Sequence, residues 1–117
     1  MVIQLKRAYE QGSLEDGKRI LVERLWPRGL KKEKAKIDVW LKDVAPSTEL
    51  RKWYSHDPAK WLKFKQRYWK ELESKKTILS SLNQETKQEK VTFIFSSKEE
   101  KLNNAVALKE YIETEFK

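Results

Sequence analysis

Val91-Thr92-Phe93-Ile94-Phe95 is an unbroken apolar, β-branched and aromatic run. A strand of that composition has almost no polar face to turn to water, so it belongs inside a sheet covered on both sides, as in parallel α/β folds. The rest of the chain must supply strands to flank it and layers to cover it. A length of 117 residues suits one domain that removes roughly two-thirds of its unfolded surface from water. No repeat, Pro- or Gly-rich linker or low-complexity tract divides residues 1–117.

Val2, Ile3 and Leu5 begin one flanking strand and Ile20-Leu21-Val22 another, with the turn-rich segment 11–17 between them. Residues 31–36 form a charged, helix-compatible stretch. Residues 37–44 read as a strand in preference to a helix end, because Val39, Trp40 and Val44 are strand formers and Pro46 stops any helix near Ala45. Ser47 is a predicted N-cap for a helix to about Ser55 that carries Leu50, Trp53 and Tyr54. Asp57-Pro58 starts another, in which Trp61, Phe64, Tyr68 and Leu72 make one buried stripe. That stripe reads as core and not as a base-stacking platform; Trp26 and Trp69 are the aromatics expected to stay partly accessible. A weaker helix is expected around residues 78–82, followed by a solvated connection to Lys90. Ser97 and Glu100 predict a capping box for a terminal helix whose apolar face is Leu102, Ala105, Leu108, Ile112 and Phe116. This order of elements predicts a small three-layer α/β domain with a largely parallel sheet and flanking helices.

The chain carries 26 basic and 18 acidic residues, a net charge of +8. Such a balance favours phosphate-bearing partners, including weak and salt-dependent nucleic-acid binding, although a lysine-rich solvated surface explains it equally well. With no cysteine, disulfides, thiolate zinc sites and cysteine nucleophiles are excluded, and a cytoplasmic location is expected. No apolar run approaches the roughly 18 residues of a membrane span, and residues 1–6 lack a signal-peptide layout, so no membrane partner is expected. A single histidine rules out two-histidine zinc signatures, and no carboxylate spacing marks a Mg²⁺ site. The Gly-rich loops of nicotinamide or ATP sites are missing as well, so the sequence assigns no cofactor.

Parallel sheets bind ligands beyond the carboxyl ends of their strands. Arg24 and Arg28 flank Trp26-Pro27 just after the second strand, on a backbone stiffened by the proline. Together with Ser47, Ser97 and Lys98 at the two strand-to-helix junctions, they form a predicted anion site. Arg51, four residues after Ser47, projects from the same helical face and can join it. The alternative for these arginines is a structural ion pair with Glu23, Asp38 or Asp43. His56 is the natural general acid or base, since unperturbed imidazole titrates near neutrality; a structural histidine before a capped helix is the more frequent case. Asp57 reads as a cap.

Residues 19–30, 40–47 and 50–54, and His56-Asp57-Pro58 with Trp61, Phe64 and Tyr68, together resemble the YeaO-like family, domain of unknown function 488. The likeness runs through nearly the whole chain. Glu23 and Glu99 stand where that family usually has aspartate, and Leu102 stands where a histidine often precedes Asn103. The resemblance implies a compact α/β domain with a polar pocket formed by Arg7, Arg24, Arg28, Arg51, His56 and Asn103, and it brings no reaction with it. Three functions stay open at this point. The first is a cytoplasmic phosphate-recognising protein for a nucleic acid or nucleotide, with weak hydrolysis as an addition. The second is a hydrolase or transferase of an anionic small molecule using His56, and the third a non-catalytic partner-binding module.

Overall fold

The structure, a computed structural model, describes residues 3–116. Its strands are β1 (Ile3–Arg7), β2 (Lys18–Leu21), β3 (Val39–Trp40) and β4 (Val91–Phe95), all parallel in the order β1-β4-β2-β3. The expected strand at the N-terminus is present from Ile3; Val2 lies outside the described residues. As its composition requires, β4 is buried along its whole length between β1 and β2, with Ile3 opposite Val91 and Ile20 opposite Phe93.

The helices are α1 (Lys32–Ala35), α2 (Thr48–Tyr54), α3 (Trp61–Leu72), α4 (Lys76–Gln88) and α5 (Asn104–Glu115). Strand alternation sorts the core. Ile20, Val22, Val91, Phe93 and Phe95 pack with apolar residues of α2 to α5, while Leu21 and Ile94 pack on the other face with Trp26, Leu30, Ile37 and Trp40. Helices therefore cover one face of the sheet, and the segment around α1 covers the other. The α3 stripe behaves as expected, with Phe64, Tyr68 and Leu72 buried, and Trp26 and Trp69 are half-buried.

Three local expectations need correction. Only Val39–Trp40 of residues 37–44 is strand, and Lys42–Val44 is a 3₁₀ turn that drops Val44 into the core, where its carbonyl accepts from the Tyr68 hydroxyl. The second helix of the middle region is a full α4 to Gln88, because Asn83 and Thr86 are buried on the face that carries Leu79 and Leu82. The terminal helix starts at Asn104 and not near Ser97. Ser97 accepts from the Glu99 N–H in a local turn (3.0 Å), and the cap is Asn103, whose side-chain oxygen accepts from the Val106 N–H at 3.0 Å.

The loop before β2 is held by a buried ionic knot. The Asp16 carboxylate accepts from Arg19 Nη1 at 2.6 Å, Lys6 Nζ at 3.1 Å and the Ser13 N–H at 3.0 Å. The rest of the Arg19 guanidinium donates to the carbonyls of Ala35 and Lys36, which ties α1 to the sheet. Gly17 closes the loop at φ 65°, where a Cβ would come within 2.2 Å of the Lys90 carbonyl oxygen, so no other residue fits that turn.

Burial pushes the Asp16 carboxyl up, but the hydrogen bonds from Ser13, Lys6 and Arg19 outweigh it and hold the group below the usual aspartate range. A depressed carboxyl stabilises the fold above its unfolded pKa and ceases to as pH falls through the folded value. Asp16→Ala leaves Arg19 buried without its counter-charge and should cost about 3–5 kcal/mol in denaturant melts at neutral pH. The gap to wild type should narrow as the pH falls below the ordinary aspartate range.

Candidate functional site

The ends of β2, β3 and β4 open onto one rim, and a cavity of about 90 Å³ lies there. Glu23, two residues past β2, is its fixed point. Trp40 Nε1 donates to the Glu23 carbonyl at 2.7 Å, and Glu23 Oε1 accepts from the Ser96 N–H at 3.0 Å and the Ser96 hydroxyl at 3.3 Å. Its second carboxylate oxygen has no hydrogen-bond partner among the described residues. Burial raises the Glu23 carboxyl above the usual range, although the Ser96 hydrogen bonds and the charges of Arg51 and His56 pull the other way.

Arg24 lines the cavity but is largely committed to its frame. Nε donates to the Pro46 carbonyl and Nη2 to the Ala45 carbonyl, each at 3.2 Å, so the residue holds the β3–α2 loop by backbone oxygens and not by an ion pair. Arg51 and His56 are different. Both reach the cavity from the far side, and neither side chain has a hydrogen bond or ion pair among the described residues. His56 follows the α2 C-cap Ser55 in two successive left-handed residues, at φ 45° and 56°. Non-glycine residues avoid that region; the turn is held by Ser55 N–H to Arg51 carbonyl (3.1 Å) and Asp57 N–H to Tyr54 carbonyl (3.0 Å). Asp57 caps as expected, though it caps the short 3₁₀ turn ahead of α3, accepting from the Ala59 N–H at 3.0 Å.

Ser97 and Asn103 also line the cavity. Asn103 is buried and doubly used, because its Nδ2 also donates to the Glu99 carbonyl at 2.8 Å. The other expected members are elsewhere. Arg7 donates from Nε to the Ser97 carbonyl at 2.8 Å, which shapes the rim from behind. Ser47 caps α2 and bonds through its N–H and hydroxyl to Glu71 (2.9 and 2.6 Å), whose carboxylate already fills that helix end. Lys98 and Arg28 are exposed and do not line the cavity. A turn closed by the Leu30 N–H on the Pro27 carbonyl (3.3 Å), with Gly29 at φ 75°, carries Arg28 away from Arg24.

Sequence reasoning missed Glu23, Tyr54, Phe64 and Asn104 as lining residues. Tyr54 stacks on Phe64 with ring centroids 4.2 Å apart and donates its hydroxyl to the Leu102 carbonyl at 2.7 Å, pinning the loop before α5. Asn104 donates to the Val22 carbonyl at 2.9 Å. The available signal was positional: Glu23 comes just after the buried Ile20-Leu21-Val22 run, where a carboxylate is drawn partly out of water.

A carboxyl raised on folding stabilises the fold below its unfolded pKa, and that contribution is lost as pH rises through the folded value. Glu23→Gln should therefore match wild type in thermal midpoint below the ordinary glutamate range and exceed it increasingly toward neutral pH. Paired melts across that window check the sign.

Over residues 2–117 the sequence matches the family described as the inactive DUF488-N3 subclade. It is 38% identical over 112 residues to the uncharacterized protein YeaO of Escherichia coli, a match covering 96% of this chain and 97% of the relative. It is 37% identical over 106 residues to the uncharacterized protein Rv3073c of Mycobacterium tuberculosis, covering 91% and 89% respectively. No solved structure matches it. A parallel α/β domain whose sequence runs end to end with these proteins is a member of the YeaO-like DUF488 family, in the branch described as inactive.

Proposed function

We propose that this protein is a non-catalytic, cytoplasmic recognition module that holds a phosphate-bearing small molecule of nucleotide type in the cavity at the strand ends. The observation that carries this reading is the pair of uncommitted cationic or cation-forming side chains, Arg51 and His56, at a cavity whose remaining wall is fixed by internal hydrogen bonds. A phosphate placed between them would also meet the Ser97 hydroxyl and the N-terminus of the twelve-residue α5, whose free N–H groups and dipole favour an anion. Glu23 offers an acceptor on the opposite wall. The preferred ligand therefore carries an anionic group and a hydroxyl or amino donor, as a nucleotide does.

Chemistry is the weaker reading. Covalent catalysis needs a nucleophile and base within hydrogen-bond reach. Here His56, the natural base, is hydrogen-bonded to neither serine: the Ser96 hydroxyl donates to Glu23 at 3.3 Å, longer than a well-formed O–H···O bond, and Ser97 accepts from the Glu99 N–H. Leu102, in the place of the histidine common in the family, contributes its carbonyl to Tyr54 and does not line the cavity. The description of the matched branch as inactive agrees with this.

Titration calorimetry with inorganic phosphate and nucleoside monophosphates tests the proposal. Arg51→Ala should weaken binding by about 1–3 kcal/mol, the loss of a charge-assisted hydrogen bond, while Arg28→Ala leaves affinity unchanged. Equal affinities for wild type and Arg51→Ala would remove the cavity as the site.

A further inference from the structure

Most of the net charge sits in one stretch of chain. Between Arg51 and Lys70 there are seven basic residues and a single acid, Asp57, against a net charge of +8 for all 117 residues. These residues lie on α2, the following turn and α3; Arg51 lines the cavity and Lys65 turns to α5, and the others form the outer face. Lys63, Arg67 and Lys70 recur at intervals of four and three, all exposed, so they line one outer stripe of α3 opposite the buried Phe64, Tyr68 and Leu72. Lys52 adds a further exposed cation from α2. None of these four has an ion pair among the described residues; in this stretch only Lys65 has one, with Glu110 at 2.8 Å. Trp53 anchors the patch. The Arg67 guanidinium lies 4.7 Å and the Lys60 ammonium 5.0 Å from its ring centre, and Lys60 also donates to the Trp53 carbonyl at 2.9 Å.

We infer that this α2–α3 face is a second binding surface, separate from the cavity, that docks the phosphate backbone of duplex nucleic acid without reading sequence. Charge complementarity selects a polyanion. At 1.5 Å rise per residue, the stripe from Lys63 to Lys70 covers about 10 Å of helix, long enough to meet successive phosphates of one strand. The state of the aromatics argues against single-strand stacking. Trp53 is covered by two cations, and Trp61 packs against Tyr54 and Phe64, so neither ring is free to receive a base. A membrane surface fits less well, because Leu62 is the one exposed large apolar side chain on the helix, beside Lys63, Gln66, Arg67 and Lys70.

The test is fluorescence anisotropy with a labelled duplex of about 20 base pairs, read from 50 to 200 mM salt. Three phosphate contacts predict a slope near −2.7 in log K against log salt, a loss of about 40-fold across that range. The triple variant Lys63→Gln/Arg67→Gln/Lys70→Gln should bind at least tenfold more weakly at 50 mM and show a slope near zero. A charge-matched control at α1, Lys31→Gln/Lys32→Gln/Lys34→Gln, should stay within twofold of wild type. If Arg67→Gln disturbs the Trp53 contact, the double variant Lys63→Gln/Lys70→Gln still reports, through a slope reduced by about 1.8. Three results would overturn the inference: wild type failing to bind duplex at 50 mM, the α1 control losing as much as the α3 variant, or phosphatidylserine vesicles or polyglutamate binding more tightly than the duplex. Duplex binding is scored apart from phosphate calorimetry, so either surface can fail alone.

Discussion

The fold depends on β4 being buried on both faces and bonded on both edges. Val91, Phe93, Ile94 and Phe95 are each 2% exposed or less, and full burial of side chains this large contributes roughly 1.5–3 kcal/mol apiece. A two-sided strand also has to satisfy all its backbone groups within the sheet, which the parallel ladders to β1 and β2 do. Parallel pairing then sends three strand ends the same way. The Ala8 N–H reaches the Phe95 carbonyl at 2.7 Å and the Val22 N–H the Ile94 carbonyl at 3.2 Å, so the chains leaving β1, β2 and β4 are in register when they reach the rim. The cavity is a consequence of that register. Ser96 and Ser97 emerge between Arg7 on one side and Glu23 on the other because β4 lies between β1 and β2.

Around that rim, two kinds of polar residue can be told apart by whether their hydrogen-bonding capacity is already used. Asp16, Arg19 and Asn103 are buried and satisfied, and they fix loops. Arg24, at the cavity wall, does similar work on two carbonyls. Glu23 is half-satisfied, and Arg51 and His56 are not satisfied at all within the described residues. Keeping a carboxylate where burial raises its pKa, and a histidine at φ 56°, runs against stability. Such conflicts concentrate where a site needs its groups held in place ahead of the ligand.

The sequence was legible where periodicity was clean. The apolar run of β4 and the three- and four-residue spacing from Trp61 to Leu72 each admit one reading, and the structure has both. Reading failed where two local hydrogen-bonding patterns compete. Ser97 and Glu100 have capping-box spacing, yet Asn103 caps the helix and Ser97 makes a two-residue turn instead. Buried Asn83 and Thr86 hid the second half of α4, because polar residues on an apolar face look like its end. At the site, the cavity brings together Arg24, Arg51, His56, Ser97 and Asn103 and leaves out Arg7, Arg28, Ser47 and Lys98. Sequence proximity to Arg24 says little about Arg28, since Arg28 sits inside the turn closed by the Leu30 N–H on the Pro27 carbonyl. From sequence Glu23 is only one of several alternative ion-pair partners for the arginines; its observed role, tying the ends of β2 and β4, depends on sheet order, which no local pattern encodes.

Charge is distributed according to the same division. The rim gathers few charges and keeps them close to fixed dipoles, where each interaction is directional, although Arg51 and His56 also meet solvent. The α2–α3 face does the reverse, with several exposed cations spread along one side of the helix, where screening is strong and only a partner carrying many regularly spaced charges would gain enough. Arg51 stands at the junction, exposed on α2 yet lining the cavity. A domain can be kept for binding whatever its chemistry, because the donors that hold a ligand and the frame that holds those donors do not depend on any proton being transferred. On the proposed reading the structural commitment of Arg24 and Asn103 and the openness of Arg51 and His56 are one arrangement: the committed groups fix the cavity wall, and a fixed wall is what would let two uncommitted side chains select a ligand.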